Sequence, residues 1–203
     1  MYDVIMIGGG LHGGFSAWHL LQREPGLKIA LIEQDSTYSH AASARSSAGV
    51  RVLFSQEENL RMSQYGHDVY GNFGDLMALD GEPQPLSFWR QGYMFMANTP
   101  EQAEDMATNH ALQTGMGAEA NLLDAKALKE LLPSFHTDDV LLACNSPKDG
   151  WLDPYGALTS LRRKNQALGA EYIDGVVSGF EQSGGKVTGV VLQDGQTLKT
   201  DWV

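Results

Sequence analysis

Residues 5–14 of the chain read IMIGGGLHGG, so glycine occupies five of ten consecutive positions. Glycine loses more conformational freedom on folding than any other residue, and a cluster of it beside an apolar run marks backbone that bends sharply or is approached closely. Two interpretations compete. One is a flexible turn between a strand and a helix. The other is the G-x-G-x-x-G fingerprint of Gly8, Gly10 and Gly13, which turns the chain, admits a pyrophosphate and packs a helix on a strand.

The flanking residues favour the fingerprint. Residues 2–7 form a short, nearly continuous apolar run, which is typical of a parallel strand buried on both faces. A helix is predicted from residue 11 to about residue 23 by an apolar stripe of Leu11, Phe15, Trp18 and Leu21. A second strand at 27–33 ends in Glu33. This order of elements predicts an α/β fold with a Rossmann-like dinucleotide-binding unit, because a strand, a glycine turn, a helix, a second strand and an acid follow one another within about thirty residues.

Glu33 stands 20 residues after Gly13, where a carboxylate can accept hydrogen bonds from the adenosine ribose. The alternative is a surface acid at the end of a strand. The phosphates are expected at the N-terminus of the first helix, in space that a side chain on Gly10 would fill. Gly14 is expected to ease packing of this helix on the sheet. These residues do not distinguish NAD from FAD.

Composition bounds the class of protein. With 203 residues, 42% of them hydrophobic and 19% charged, the chain should form one or two globular domains. A net charge of -11 argues against a nucleic-acid or anionic-membrane partner. No apolar run is long enough to span a bilayer and no presequence is apparent, so we predict a cytoplasmic protein. No histidine has a ligand-spaced neighbour, so we predict no metal site.

Cys144 is the one cysteine, which excludes an internal disulfide and is compatible with a reducing cytoplasm. It lies in the apolar run at 140–144. We therefore predict that it is a buried small hydrophobe and not a nucleophile.

The tract at 34–51 is rich in small residues and lacks apolar periodicity, so we predict a loop that lies along a cofactor. A helix is expected at 56–79, and its buried side is predicted to consist of Leu60, Met62, Val69, Phe73 and Leu76. The run Gly81-Glu82-Pro83-Gln84-Pro85 interrupts this pattern and marks a predicted domain boundary.

The rest of the chain is predicted to contain further strands and helices. Strands are predicted at 87–97, 140–144, 170–180, 186–193 and 196–203, and helices at 124–132 and 155–168. Thr99 as N-cap and Pro100 at the first helical position predict a further helix. Residues 150–154 are predicted to form a turn, and Asp194-Gly195 a hairpin turn. The sequence ends inside an apolar run, so we expect it to be a fragment.

With these residues assembled, the sequence resembles the N-terminal half of the D-amino-acid-oxidase-type FAD-dependent oxidoreductases, the group of sarcosine, dimethylglycine and glycine oxidases and dehydrogenases. The resemblance covers essentially the whole chain. It is carried by DVIMIGGGLHGGFSAWHLLQ with LIEQD, SHAASARSSAGVR, RQGYMFMA and GWLDPYGALTSLRRKNQALGAEY. Within the group, STYSHAASARSSAGVRVLFSQEENLRMS and GWLDPYGALTSLRRK are most similar to the branch that includes a mitochondrial flavoprotein associated with respiratory complex I assembly.

The resemblance implies a discontinuous FAD-binding domain at 1–84 and 146–203, with an inserted α+β substrate domain at 85–145. It implies that these residues bind FAD: Gly8, Gly10 and Gly13 at the pyrophosphate, Glu33 at the ribose, Ser43, Arg45, Ser47 and Gly49 at the flavin, and the backbone of Val177 at adenine. Arg51 is implied to lie by the substrate carboxylate. Members that attach FAD covalently carry histidine in an HAAG-like motif, where this chain has Ser46-Ser47-Ala48-Gly49, so we expect non-covalent FAD.

The activity implied is oxidation of a C–N bond of a secondary or tertiary amino acid, similar to sarcosine or dimethylglycine, by hydride transfer to the flavin. The resemblance assigns no catalytic residue and leaves the electron acceptor open between oxygen, a flavoprotein and a quinone. Two alternatives stand beside it: a flavin-binding assembly or interaction protein without turnover, and an NAD-dependent dehydrogenase that shares the glycine fingerprint.

Overall fold

A computed structural model describes residues 1–203 as twelve strands and six helices. The strands are β1 Tyr2–Ile7, β2 Ile29–Glu33, β3 Gly49–Val50, β4 Phe88–Trp89, β5 Tyr93–Ala97, β6 Asn121–Leu123, β7 Leu142–Ser146, β8 Gly150–Leu152, β9 Glu171–Asp174, β10 Val177–Ser183, β11 Lys186–Leu192 and β12 Thr197–Trp202. The helices are α1 Leu11–Arg23, α2 Glu57–Gly71, α3 Phe73–Leu76, α4 Pro100–Gly115, α5 Ala125–Leu131 and α6 Pro154–Ala167. The predicted α/β class is confirmed.

The chain divides into two compact units. The first comprises Met1–Ala48, Phe73–Leu86 and Asp153–Val203, and the second comprises Gly49–Asn72 and Ser87–Leu152. Residues 49–72 thus group with the second unit, whereas the sequence analysis placed them in the FAD-binding part. The assignment of a cofactor or substrate role to either part stays a prediction.

A six-stranded mixed sheet organises the first unit, in the order β10-β11-β12-β1-β2-β9. Strand β1 pairs in parallel with β2 and β12, and β2 pairs in parallel with β9. The first four residues of β2 are buried. Burial on both faces was predicted for β1 instead, where only Ile5 is buried and Ile7 is 47% exposed. One face packs Ile5, Ala30, Ile32, Val190, Leu192 and Leu198 together, and the other packs Ile29 and Leu31 against Ala17, Leu21 and Ala170.

The second unit holds two three-stranded sheets, β3-β8-β4 and β5-β7-β6. Leu53, Ala120 and Cys144 form one buried cluster, and Leu128, Val140 and Ala143 form another. The predicted burial of Cys144 is confirmed, and burial raises the pKa of its thiol. Helix α4 begins as predicted, because Thr99 accepts a hydrogen bond from the Gln102 N–H and the Gln102 side chain accepts from the Thr99 N–H.

The single helix predicted at 56–79 is wrong. Helix α2 ends at Gly71 and the short α3 begins at Phe73, with Asn72 capping α2 through its N–H to the Asp68 carbonyl. The break shifts the register of the apolar side, so Met77 is fully buried. Met62 is 64% exposed although the stripe placed it inside.

Glycines account for three further differences from the predicted strands. The strand expected at 87–97 is divided at Gly92, which has a φ of +85°. The strand expected at 170–180 is divided near Gly175, whose N–H donates to the Glu33 carbonyl at 2.9 Å. Strand β8 lies where a turn was predicted, and a Cβ on Gly150 would lie 1.9 Å from the Trp89 carbonyl oxygen. Strand β6 was not predicted, and β3 lies inside the loop predicted at 34–51.

Gly14 lies against a helix as well as beside the sheet, since a Cβ on it would lie 3.8 Å from the Tyr172 hydroxyl of β9. The expectation for this residue named only the sheet. A Cβ on Gly14 would lie 2.7 Å from Leu161 Cδ2 of α6. Beside this contact, the buried Asn165 side chain donates from Nδ2 to the Gly14 carbonyl at 2.8 Å and to the Tyr172 hydroxyl at 3.1 Å. Asn165 therefore joins α6 to both α1 and β9.

No helix in the chain has the length and apolar character needed to cross a membrane. The His, Cys, Asp and Glu side chains form no group of three that could hold a metal ion.

Replacing Asn165 by Ala should lower the free energy of unfolding by about 1–3 kcal/mol, because the two buried hydrogen bonds that its side chain donates, to the Gly14 carbonyl and to the Tyr172 hydroxyl, are lost. The change in the midpoint of chemical denaturation measures this loss. Gln166→Ala, at an exposed position of the same helix, is the matched control. Equal midpoints for the two variants would contradict a role for Asn165 in joining α1 and α6.

Candidate dinucleotide-binding site

The loop of residues 8–10 connects β1 to α1 and depends on three glycines for different reasons. Gly8 has a φ of +106°, in the left-handed region that favours glycine. A Cβ on Gly13 would lie 2.0 Å from the Gly8 carbonyl oxygen, so only a hydrogen fits there. A Cβ on Gly10 would meet no protein atom within 4 Å. The side of Gly10 is therefore open to a ligand, as the fingerprint predicts.

The N-terminus of α1 leaves backbone donors free. Gly10 is its N-cap residue and supplies no side-chain cap, and the first turn contains no acidic residue. The first hydrogen bond within this turn runs from the Gly14 N–H to the Gly10 carbonyl at 2.8 Å. Free N–H groups and the positive end of the helix dipole together favour an anion such as a phosphate.

Glu33 lies at the end of β2 and faces the glycine loop. Its Oε2 accepts a hydrogen bond from the Gly9 N–H at 2.8 Å, and its Oε1 accepts from the Asp35 N–H at 3.0 Å. A carboxylate offers about four acceptor positions, so each oxygen retains capacity for a ribose hydroxyl. Glu33 also holds the loop in place, a role that the spacing from Gly13 did not reveal.

Gly9 is more constrained than the fingerprint requires. A Cβ there would lie 3.2 Å from both Glu33 Cβ and the Tyr172 ring. Tyr172 lies on β9 opposite Leu31 of β2, and burial raises the pKa of its hydroxyl to about 12. The hydroxyl is neutral at physiological pH and accepts the bond from Asn165. The sequence did not indicate Tyr172 or Asn165, because the packing that brings them to the glycine loop leaves no local signal.

A pocket of about 370 Å³ lies at the start of β10 and is lined by Gly175, Val176, Leu192, Gln193 and Asp194. Its volume falls within the range of small-molecule sites. The Val176 carbonyl accepts a hydrogen bond from the Gln193 N–H at 2.8 Å. Val177 is not among the lining residues, since its side chain packs against the core. Val176 lines this pocket, and the placement of the Val177 backbone at adenine stays a prediction.

Residues 34–48 contain no helix or strand and form a series of turns. The Ser43 carbonyl accepts from the Ser46 hydroxyl at 2.8 Å, and the Ser46 hydroxyl accepts from the Ala48 N–H at 3.0 Å. Arg45 and Ser47 are exposed, and none of the ion pairs in the chain includes Arg45. These side chains are accessible to a ligand, in agreement with the predicted loop.

Gly49 and Arg51 belong to the second unit. A Cβ on Gly49 would touch the Tyr93 ring at 3.4 Å. The Arg51 guanidinium carbon lies 5.0 Å, 5.3 Å and 5.9 Å from the ring centroids of Phe54, Tyr93 and Phe95, which form an aromatic cage around it. Such distances allow cation–π attraction.

The guanidinium of Arg51 has no carboxylate partner in the chain, because none of the ion pairs includes it. Its Nε is buried and has no hydrogen-bond acceptor. A guanidinium presents a planar fork of donors that matches a carboxylate. Arg51 is therefore a candidate for binding an anionic group.

Comparison with known proteins assigns a family to this arrangement. The family described as FAD dependent oxidoreductase (DAO) matches residues 3–203. The chain is 33% identical over 183 residues to "FAD-dependent oxidoreductase domain-containing protein 1" of Xenopus laevis, covering 88% of this chain and 36% of the relative. It is 25% identical to "Sarcosine dehydrogenase, mitochondrial" of Mus musculus, covering 85% of this chain and 18% of that protein.

Among solved structures, L-proline dehydrogenase from P. horikoshii superposes with a TM-score of 0.85 at 26% identity. The match covers 98% of this chain and 50% of that structure. The chain thus spans about half of that structure and less of the curated relatives it matches.

Replacing Gly13 by Ala should abolish retention of a bound dinucleotide, because the new Cβ collides with the Gly8 carbonyl and displaces the loop from the start of α1. The absorbance of bound flavin after purification measures retention. Gly66→Ala is the control, since a Cβ at this position of α2 meets nothing within 4 Å. Full flavin content in the Gly13→Ala protein would contradict the site.

Proposed function

The chain belongs to the DAO family of FAD dependent oxidoreductases. We propose that the protein oxidises a C–N bond of a secondary or tertiary amino acid. The observation that carries the proposal is Arg51, a guanidinium held between aromatic rings without a carboxylate partner in the chain. An amino-acid substrate supplies such a carboxylate. A charge-assisted hydrogen bond of this kind contributes about 1.5–3 kcal/mol, enough to orient a small molecule.

The residues present fit FAD as the cofactor. In the proposal, the N–H groups at the start of α1 bind the pyrophosphate in the open space beside Gly10. Gly8 and Gly13 allow the turn and the close packing that leave this space open. Glu33 accepts from the ribose hydroxyls with the oxygen capacity that Gly9 and Asp35 leave free. The pocket lined by Val176 has the size for adenine. FAD, when bound, supplies the hydride acceptor, and the protein supplies binding, orientation and electrostatics.

We propose that Ser43, Arg45, Ser47 and Gly49 contact the flavin without a covalent bond. The segment Ser43–Gly49 contains only Ser, Ala, Arg and Gly. It therefore offers no histidine, cysteine or tyrosine for attachment. The exposure of Arg45 and Ser47 is compatible with contacts of this kind.

The choice of a secondary or tertiary amine is supported by the names of two similar proteins. One is called a sarcosine dehydrogenase and the other an L-proline dehydrogenase. Sarcosine and proline share a carboxylate and a secondary amine on the same carbon. In the proposal, Arg51 binds the carboxylate of such a substrate. The hydride that FAD accepts leaves from the carbon beside the nitrogen.

The test is anaerobic reduction of the full-length protein. The flavin absorbance should bleach with at least one member of a panel of N-methyl and cyclic amino acids, and it should stay unchanged with 2-hydroxy acids. Arg51→Gln should raise the KM for that substrate about ten- to a hundredfold, because the charge-assisted bond is lost. Arg61→Gln, at an exposed surface ion pair, is the matched control and should leave KM unchanged.

Two results would contradict the proposal. Bleaching by a 2-hydroxy acid but by no amine would assign the wrong class of substrate. Flavin that stays oxidised with every amine, together with a stable protein partner in a pull-down, would instead support a flavin-binding interaction protein without turnover.

A further inference from the structure

A buried carboxylate, that of Asp149, lies next to the Arg51 segment, by which we mean Arg51 and Val52. Asp149 is fully buried, and its Oδ2 accepts a hydrogen bond from the Val52 N–H at 3.0 Å. Its Oδ1 lies 3.0 Å from Nε2 of His67, a side chain of α2 that is 14% exposed. A charged group costs free energy to bury unless its oxygens are matched by donors. Asp149 is thus a costly residue placed beside the segment that carries Arg51.

The Arg51–Val52 peptide unit is held at both of its polar atoms. The Arg51 carbonyl accepts a hydrogen bond from the Ser63 hydroxyl of α2, and the Val52 N–H donates to Asp149. A peptide unit is planar, so fixing its carbonyl and its N–H fixes the orientation of the plane. The plane contains the Arg51 Cα and its bond to the carbonyl carbon, so the point from which the Arg51 side chain leaves the backbone is held with it.

Asp149 also contacts the strand that supplies the aromatic cage. Its backbone carbonyl accepts from the Gly92 N–H at 2.8 Å. Gly92 directly precedes Tyr93 and has a φ of +85°, which favours glycine. Strand β5 then brings Tyr93 and Phe95 to the guanidinium. One residue therefore holds the Arg51 segment through its side chain and the start of β5 through its backbone.

We propose that Asp149 and Ser63 are positioning residues that hold the Arg51 guanidinium in the orientation needed to bind a substrate carboxylate. The inference rests on the proposed function of Arg51 and adds the two residues through which the protein controls it. Neither residue needs to touch the substrate. Both act by fixing one peptide plane, so their effect on carboxylate binding should depend on the presence of Arg51.

The test is a double-mutant cycle on the full-length, FAD-loaded protein. The probe is benzoate, a monocarboxylate that flavin does not oxidise, and its Kd is read from the change in the flavin spectrum. Ser63→Ala should raise the Kd about fivefold, the effect of one lost hydrogen bond. Asp149→Asn should also raise it, because a neutral amide accepts more weakly than a carboxylate. In the Arg51→Gln background, neither change should have a further effect.

The controls are Ser134→Ala and Asp138→Asn, at exposed positions of the same unit, and both should leave the Kd unchanged. Thermal denaturation separates the proposal from a purely structural role, which would lower the melting temperature without coupling to Arg51. If Asp149→Asn does not fold, the Ser63→Ala cycle carries the test alone.

Two outcomes would overturn the proposal, and they are distinguishable. Equal fold-changes in Kd with and without Arg51 would remove the positioning role and leave the role of Arg51 intact. The proposed function of Arg51 itself would be removed by a benzoate Kd that is the same in the unmodified protein and in Arg51→Gln. An absence of benzoate binding in both of these proteins would have the same consequence.

Discussion

The close approach of α1 to the end of β1 is the constraint on which the first unit depends. The Gly8 carbonyl occupies the position that a side chain on Gly13 would need. This contact aims the free N–H groups of α1 at the loop and leaves the side of Gly10 open. Glu33 completes the arrangement from the neighbouring strand by accepting from the Gly9 N–H. Loop, helix terminus and acid lie together because the backbone can pack this closely, and we propose that they form one binding surface.

A buried polar network packs against the glycine loop and α1. Tyr172 on β9 packs beside Gly9 and Glu33, and Asn165 on α6 links the Tyr172 hydroxyl to the Gly14 carbonyl. Buried polar groups of this kind are costly when half satisfied and specific when paired. The second unit uses the same principle at Asp149, whose carboxylate fixes the backbone beside Arg51. In both units, a buried polar side chain is hydrogen-bonded to backbone beside a proposed binding site.

The sequence predicted those parts of the site that depend on local chemistry. The glycine spacing, the apolar strand before it and Glu33 after it are short-range signals, and the Thr99-Pro100 helix start is another. The contacts of Asn165 with Gly14 and of Asp149 with Val52 join residues 151 and 97 positions apart, and nothing in the local pattern marks them. The sequence did not predict the break between α2 and α3 at Asn72, because apolar residues continue at helical spacing past the end of α2.

We propose that the glycine loop, the start of α1 and Glu33 bind FAD without a covalent bond. The most direct test is to denature the full-length protein and identify the small molecule that is released, by mass spectrometry and absorbance. A non-covalent FAD site should release FAD in an amount equimolar with the chain and leave a colourless polypeptide. Release of NAD without flavin, or flavin that stays attached to the denatured chain, would contradict it.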